Sequence, residues 1–425
     1  MRILDTRLHA DPSRVVLRPF HLGWQSTSHA GDRARRLVND ILALSDRRTA
    51  LEYRRVLRDF KERHWQTEAM FDDRYAEVEQ SLELDGSGWS RTRKRLIGAY
   101  FCHEYTYAAA ALMNPSIVPH PDQSGMNGTA TRFVMSLRAV GEGHISSVAF
   151  REGIAHDDGR FNLWPQTAFA TAADIDDESL IDSDAAVTVH RHPESSLSNT
   201  VIFPITEQQR GGLEDLRLVR FDHGDHDFEW IGTYTAYSGS SIRSELMRTR
   251  DFRSFVLEPI EGRAGRNKGM ALFPEKVGGT YAMLGRQDGK NLFLIRSDRL
   301  TCWDDDGVLL MEPKYPWEFI QIGNCGSPLL TDEGWLMFTH GVGAMRKYAL
   351  GCALLDRDDP SKVLARVREP VLTANDDERS GYVPNVVYTC GVLRVGEQLL
   401  VPYGISDSAV GFATTSIADL LSLMD

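Results

Sequence analysis

The chain has 425 residues, 42% of them hydrophobic and 25% charged, ordinary proportions for a globular protein with a sizeable core. Its formal charge of −12 argues against a nucleic-acid binder, which needs a basic face, and no apolar run approaches the ~20 residues of a bilayer span. Five cysteines (102, 302, 325, 352 and 390) show no Cys-x-x-Cys spacing and the N-terminus has no apolar leader core, so a cytoplasmic protein with reduced thiols is expected, without disulfide framework or zinc site.

Proline sets the first boundary. After Pro12 and Pro19 none occurs until Pro115, a gap that permits long helices. Leu37, Val38, Ile41 and Leu42 suggest one helix, and Val56, Leu57 and Phe60 a second. Phe71, Tyr75, Val78 and Leu82 form a helical stripe, and Leu96, Ile97, Tyr100, Phe101 and Tyr105 suggest a last helix after Gly86-Ser-Gly88. Residues 1–112 are therefore expected as a mainly helical appendage and residues 113–425 as the β domain. Thr131–Leu137 and His144–Phe150 flank Val-Gly-Glu-Gly as a hairpin, and Arg217–Phe221 and Phe228–Tyr234 flank a polar turn.

The later chain repeats itself. Short apolar strands at 280–285, 335–339 and 399–403 each lead into a polar, glycine-containing turn and then another apolar strand. Pro274, Pro328 and Pro384 recur at spacings of 54 and 56. A period near 60 over roughly 320 residues gives about five units, which predicts an all-β fold, a five-bladed β-propeller with an N-terminal α-helical extension. Residues 154–212 break the period and are expected as a long excursion.

Aligned by repeat, Arg138, Tyr237, Arg286, His340 and Asp407 fall at or just beyond the same strand end, so corresponding turns would meet around one mouth. Between Arg243 and Lys290 ten Lys/Arg face six Asp/Glu, a local balance of +4 in a chain of −12. This reversal of sign suits a small anion: Arg243 and Arg286 can donate forked hydrogen bonds to phosphate, and Lys268 a point charge. Asp215, between Gly211-Gly212 and an alternating strand, is the acid that stands out. An inverting glycosidase needs a second carboxylate to activate water; where phosphate is the nucleophile, cations take its place. One acid beside cations points to phosphorolysis.

The segments Asn114-Pro-Ser-Ile, Ser136-Leu-Arg-Ala, Gly212-Leu-Glu-Asp-Leu-Arg, Tyr234-Thr-Ala-Tyr with Arg243, and Lys268-Gly-Met-Ala-Leu-Phe-Pro-Glu-Lys resemble glycoside hydrolase family 130. So do Gly334-Trp-Leu-Met-Phe-Thr-His-Gly-Val, Tyr348-Ala-Leu-Gly-Cys-Ala-Leu-Leu-Asp, Val383-Pro-Asn-Val-Val and Tyr403-Gly-Ile-Ser-Asp. That family comprises mannoside phosphorylases and related β-mannosidases on five-bladed propellers. The resemblance implies that Asp215 is the general acid, acting through a hydroxyl of the bound mannose. It implies phosphate binding by Arg243, Lys268 and His340, to which the cationic pocket adds Arg286. Asp407 is implied as a sugar ligand, and Asn114, Arg138, Tyr237 and Asn385 are assigned with it. Leu216 stands where the family motif usually has proline.

The expected reaction is inverting phosphorolysis of a β-mannosidic bond to α-mannose 1-phosphate, with inorganic phosphate as co-substrate and no metal or cofactor. An inverting β-mannosidase, most readily for β-1,2 linkages, and a non-catalytic mannoside-binding propeller are the alternatives. Expected partners are a β-mannoside or manno-oligosaccharide and phosphate. A homo-oligomer through the helices is expected, because Phe60, Phe71, Tyr75 and Tyr100 offer more apolar surface than a thin appendage buries. The excursion 154–212, the end of the helical segment and the turn Arg346-Lys-Tyr348 are candidates for setting the acceptor. His190-Arg-His192, Asp222–Asp227 and Asp304–Asp306 have metal-like composition but read as strand and turn residues.

Overall fold

The computed structural model describes residues 1–20, 28–167, 169–176 and 185–425. The chain divides into two compact units, one formed by Ser13–Thr106 with Ala168–Ala172 and the other by Met1–Pro12, Tyr107–Thr167 and Ala173–Asp425. Among the described residues no helix is long and apolar enough to cross a membrane.

The first unit carries four helices, Ser28–Leu42, Asp46–Phe60, Thr67–Ser81 and Arg91–Tyr100, and a short antiparallel pair, Val15–Pro19 with Cys102–Thr106. Ser45 and Ser90 cap the second and fourth helices, their side chains accepting from the amides of Arg48 and Arg93. The apolar stripes meet in one core of Val38, Ile41, Phe71, Tyr75, Val78, Leu96, Ile97 and Phe101. Gly98 lets two helices approach closely: a Cβ there would lie 2.0 Å from the Phe71 carbonyl oxygen. Tyr105, expected on the last helix, lies instead on the strand after it, because the helix ends at Tyr100. Phe71 and Tyr75, expected as surplus apolar surface, are buried within this unit, whereas Phe60 and Tyr100 stay exposed.

Among its described residues the second unit is mostly β, with no closed sheet, and its main strands pair antiparallel in groups of four that follow chain order. Ala111–Pro119, Ala130–Val140, Ser146–His156 and Phe161–Leu163 form the first. Gly212–Asp222, Phe228–Tyr237, Ile242–Thr249 and Ser254–Pro259 form the second. A single parallel pairing, Gly212 with Ser146, joins these two groups. Ala271–Leu272, Tyr281–Gly285, Leu292–Ser297 and Val308–Met311 make the third, and Gln321–Asn324, Trp335–Val342, Tyr348–Leu355 and Val363–Arg366 the fourth. The last group is Val387–Tyr388, Gln398–Ile405 and Ala409–Ser416, completed by the N-terminal strand Arg2–His9. Residues 1–12, grouped by the sequence with the helices, thus pair with the other end of the chain. The excursion 154–212 adds short strands, of which Val187–His190 extends the second group's sheet.

Apolar packing follows the same order. Phe273, Leu284 and Leu294 of the third group share a core with Ile322, Trp335 and Met337 of the fourth, Phe273 meeting Trp335 edge-on at 5.2 Å. Val219, Ile231 and Leu246 share one with Met270, Met283 and Ile295, and Leu336, Leu350 and Cys352 with Val387, Leu399 and Val401. The last group also meets the first: Cys390 donates its amide to Pro115 O at 2.8 Å, and the rings of Phe161 and Phe412 lie 4.5 Å apart.

Candidate active site

A cavity of about 280 Å³ is lined mainly from the first and second strands of the groups and the turns beside them, by Asn114, Arg138, Glu214, Asp215, Lys268, Arg286, Gln321, His340, Arg346, Tyr348, Val386, Tyr388 and Asp407. Two register shifts build one wall. Pairing skips between Met113 and Ser116 in the first group and between Glu214 and Arg217 in the second. The bulged Asn114 (φ 49°) and Asp215 (φ 56°) take left-handed backbone, which Asn and Asp tolerate better than other non-glycine residues. The side-chain amide Nδ2 of Asn114 donates to Asp215 Oδ1. The neighbouring Ser116 Oγ accepts from the Leu218 amide at 2.9 Å, tying the two bulged strands together.

Arg138 organises the acids. Its Nη1 lies 3.2 Å from Asp215 Oδ1, its Nη2 2.6 Å from Glu214 Oε1, and its Nε donates to Ser146 Oγ at 2.9 Å. Arg217 holds the bulge from behind, donating to the Asp215 main-chain oxygen at 2.9 Å and to Tyr388 Oη at 2.7 Å. Burial acts to raise the Asp215 carboxyl, but Arg138, Arg217, the Asn114 amide and Lys268 outweigh it and hold the group below its ordinary range. Glu214 moves the other way: burial raises it more than Arg138 lowers it. Asp407, also left-handed at φ 50°, is pushed up to about 6 by burial and by the negative charge of Asp215. Breaking this cluster has a measurable cost. Arg138→Met leaves two partly buried carboxylates without their shared cation, so it is expected to destabilise the fold by about 3 kcal/mol at neutral pH. Urea unfolding measures the loss, which should shrink in acid, where the carboxylates protonate.

The rest of the lining is largely cationic and aromatic. Arg286 follows its strand Tyr281–Gly285, and Lys268 precedes Ala271. His340, 2% exposed, meets Tyr388 edge-on at 4.8 Å and stacks with Tyr348 at 6.0 Å. Its Nδ1 is 3.2 Å from Asn324 O. Burial and the charges of Arg286 and Arg217 push the imidazole well below its ordinary pKa, so the ring is neutral.

The structure therefore brings Asn114, Arg138, Asp215, Lys268, Arg286, His340 and Asp407 to one cavity and leaves three expected residues off its wall. Arg243 stands on the third strand of its group, with Nε donating to Glu245 Oε1 at 2.7 Å. Tyr237 is in phase with Arg286 but turns back into its own hairpin, donating to Gly239 O at 2.8 Å. Asn385 accepts from Arg379 Nε at 3.0 Å and from the Tyr348 amide, while the next residue, Val386, reaches the wall. Glu214, Gln321 and Tyr388 were not expected there; Glu214 could have been found from its place beside Asp215 in the motif. Among the described residues, no cluster of three or more His, Cys, Asp or Glu side chains is arranged to hold a metal ion.

The family profile Glyco_hydro_130, described as β-1,4-mannooligosaccharide phosphorylase, matches residues 166–425. Over 230 residues the chain is 34% identical to a 1,2-β-oligomannan phosphorylase of Thermoanaerobacter sp. (strain X514), covering 53% of this chain and 75% of that one. Over 232 residues it is 29% identical to a β-1,2-mannobiose phosphorylase of Listeria innocua, covering 53% and 63%. In three dimensions it is similar to a putative glycoside hydrolase from Bacteroides ovatus ATCC 8483, with a TM-score of 0.54 and 19% identity over 75% of this chain and 90% of that one, a likeness of fold. Asn114 and Arg138 precede the matched segment, yet both bond to Asp215 inside it. With well over half its length under the profile, the chain belongs to glycoside hydrolase family 130.

Proposed function

We propose that the chain is an inverting mannoside phosphorylase that splits a β-mannosidic bond with inorganic phosphate and releases α-mannose 1-phosphate. The observation that carries this reading is the cavity in which Lys268, Arg286 and His340 line the same space as Asp215; Glu214 and Asp407 line it too, so the cations, and not a lack of a second acid, favour phosphate. A phosphate oxygen attacks the anomeric carbon on the face opposite the leaving oxygen; the carbon–phosphate oxygen bond forms as the glycosidic bond breaks, and the β configuration inverts. Asp215 supplies the proton that leaves with the acceptor, through a mannose hydroxyl. Hydrogen phosphate and mannoside give mannose 1-phosphate dianion and an alcohol, so the proton lost by Asp215 is replaced by phosphate's own. Phosphate is the co-substrate, and this chemistry needs no cofactor.

In the empty cavity the surrounding cations keep Asp215 ionised. An anion bound against Lys268 and Arg286 offsets those charges and shifts Asp215 toward its acid form, so phosphate prepares the acid that its own attack requires. Asp407, Asn114 and Arg138 are assigned to mannose hydroxyls. Arg243 remains assigned to phosphate, and Tyr237 and Asn385 to the sugar, though none of the three lines the cavity. The relatives' names favour β-1,2-linked substrates.

Five antiparallel groups of four strands, cores shared between consecutive groups, and an N-terminal strand completing the last group support a five-bladed propeller over residues 113–425 with the strand Arg2–His9. Assembly into a homo-oligomer through the helical segment now rests on exposed Phe60 and Tyr100.

Incubating β-1,2-mannobiose with the protein, with and without phosphate, tests the reading. Consumption should require phosphate; equal consumption in its absence would make the protein a hydrolase, and consumption in neither a binding protein.

A further inference from the structure

Inversion fixes the direction in which the acceptor sugar leaves. Phosphate, assigned to Lys268, Arg286 and His340, approaches from the third and fourth groups, so the departing sugar points away from them. Asn114, Arg138 and Asp407, assigned to mannose, belong to the first and last groups. The rim of those two groups is therefore the side on which the acceptor lies, and an exposed aromatic ring stands there. Tyr382 is 53% exposed. Its amide donates at 2.6 Å to Ser408 Oγ, on the residue after the cavity-lining Asp407. The amide of Val383 donates at 3.0 Å to the main-chain oxygen of Ser406, the residue before it.

A repeated turn brings His144 to the same rim. Residues 141–145 of the first group and 343–347 of the fourth have nearly the same backbone: Gly141 and Gly343 share φ −102°, and His144 and Arg346 are left-handed at φ 61° and 55°. Arg346 lines the cavity, so the repeat gives His144 the matching place over the first group. Tyr382 Oη lies 3.3 Å from His144 Nδ1, and the two rings are 6.0 Å apart. The segment that carries Tyr382 is anchored from beneath. Glu378, 4% exposed, accepts from Arg7 Nη2 at 3.0 Å and from Tyr403 Oη at 2.8 Å, and its main-chain oxygen accepts from Ser406 Oγ at 2.6 Å. Gly381 packs so closely that a Cβ there would meet Ser406 O at 2.5 Å and Ser408 Oγ at 2.6 Å. The ring is thus held in place by the protein alone, which lowers the ordering cost of binding against it.

Resting on the mannoside phosphorolysis reading, we propose that Tyr382 and His144 form the subsite for the sugar on the leaving side of the scissile bond. A pyranose lays its C–H face on the Tyr382 ring, while the Tyr382 hydroxyl and the His144 imidazole serve its hydroxyls, which need polar partners. The contact is weak for one free sugar, but it adds to that of the mannose while the glycosidic bond joins them. Once the bond is cleaved, the rim alone holds the acceptor, and it departs.

Calorimetric titration of β-1,2-mannobiose, and separately of inorganic phosphate, into full-length wild-type, Tyr382→Ala and Tyr382→Phe proteins tests this. Tyr382 is exposed, so both variants should fold. Tyr382→Ala should bind mannobiose roughly 10-fold more weakly, the worth of an aromatic contact, and phosphate as tightly as the wild type. Tyr382→Phe keeps the ring and should stay within about 3-fold of the wild type, the worth of one neutral hydrogen bond. Unchanged mannobiose affinity in Tyr382→Ala would overturn the proposal, as would a Tyr382→Phe protein as weak as Tyr382→Ala. So would an equal loss of phosphate affinity, which marks a distorted mouth and not a sugar contact, or a wild-type protein that binds no mannobiose. The two readings fail separately. Free mannose formed during the phosphate-free titration would refute phosphorolysis alone, and the effect of Tyr382→Ala is then read as a rise of the same size in KM for hydrolysis.

Discussion

Asp215→Asn is expected to slow phosphorolysis of β-1,2-mannobiose by roughly 10³-fold, the scale of losing a positioned general acid. The amide keeps the shape of the carboxylate and tolerates the left-handed backbone at φ 56°, and Arg138 retains Glu214 as its partner, so the fold should survive. The loss should depend on the leaving group. A β-mannoside of an acidic phenol departs without needing a proton, and for it the substitution should cost far less. A residue that merely held the bulge together would slow both substrates alike, so measuring kcat on the pair separates an acid from a structural part. Equal losses on both would remove Asp215 from its assigned role.

Lys268→Ala and Arg286→Ala are each expected to lower kcat/KM for phosphate by roughly 10- to 100-fold, the worth of a hydrogen bond to a charged group. The mannoside KM at saturating phosphate should change little, because neither residue is assigned to the sugar. Steady-state kinetics with one substrate varied at a time makes the distinction. Were the mannoside KM to rise while phosphate dependence stayed the same, the cationic wall would belong to a sugar subsite.

What the sequence made legible follows the physics of each signal. Phe71, Tyr75, Val78 and Leu82 lie on one helix face and are read by spacing alone, and they pack in one core. Arg138, Arg286, His340 and Asp407 were found because a repeated strand carries its end to the same place each time, and all four line the cavity. Tyr237 shares that phase but is taken up by its own turn, a local hydrogen bond that periodicity does not register. Strict alternation sends Glu214 and Asp215 to opposite faces, so the sequence pattern does not place Glu214 beside the acid. The bulge between Glu214 and Arg217 brings both to the cavity, and a bulge leaves little mark in a pattern of apolar residues. The strand Arg2–His9 was missed for another reason: its partner, Ala409–Ser416, lies at the far end of the chain, and nothing local announces so distant a pairing.

The central claim is that phosphate, and not water, takes the mannosyl group with inversion. Incubation of the full-length protein with β-1,2-mannobiose and inorganic phosphate, followed continuously by ³¹P and ¹H NMR, reads the product and its anomeric configuration, which the phosphate ester locks. The account predicts α-mannose 1-phosphate appearing in step with one equivalent of free mannose, and neither product when phosphate is left out. Free mannose in two equivalents with no new phosphate ester would contradict it, as would a β-configured ester.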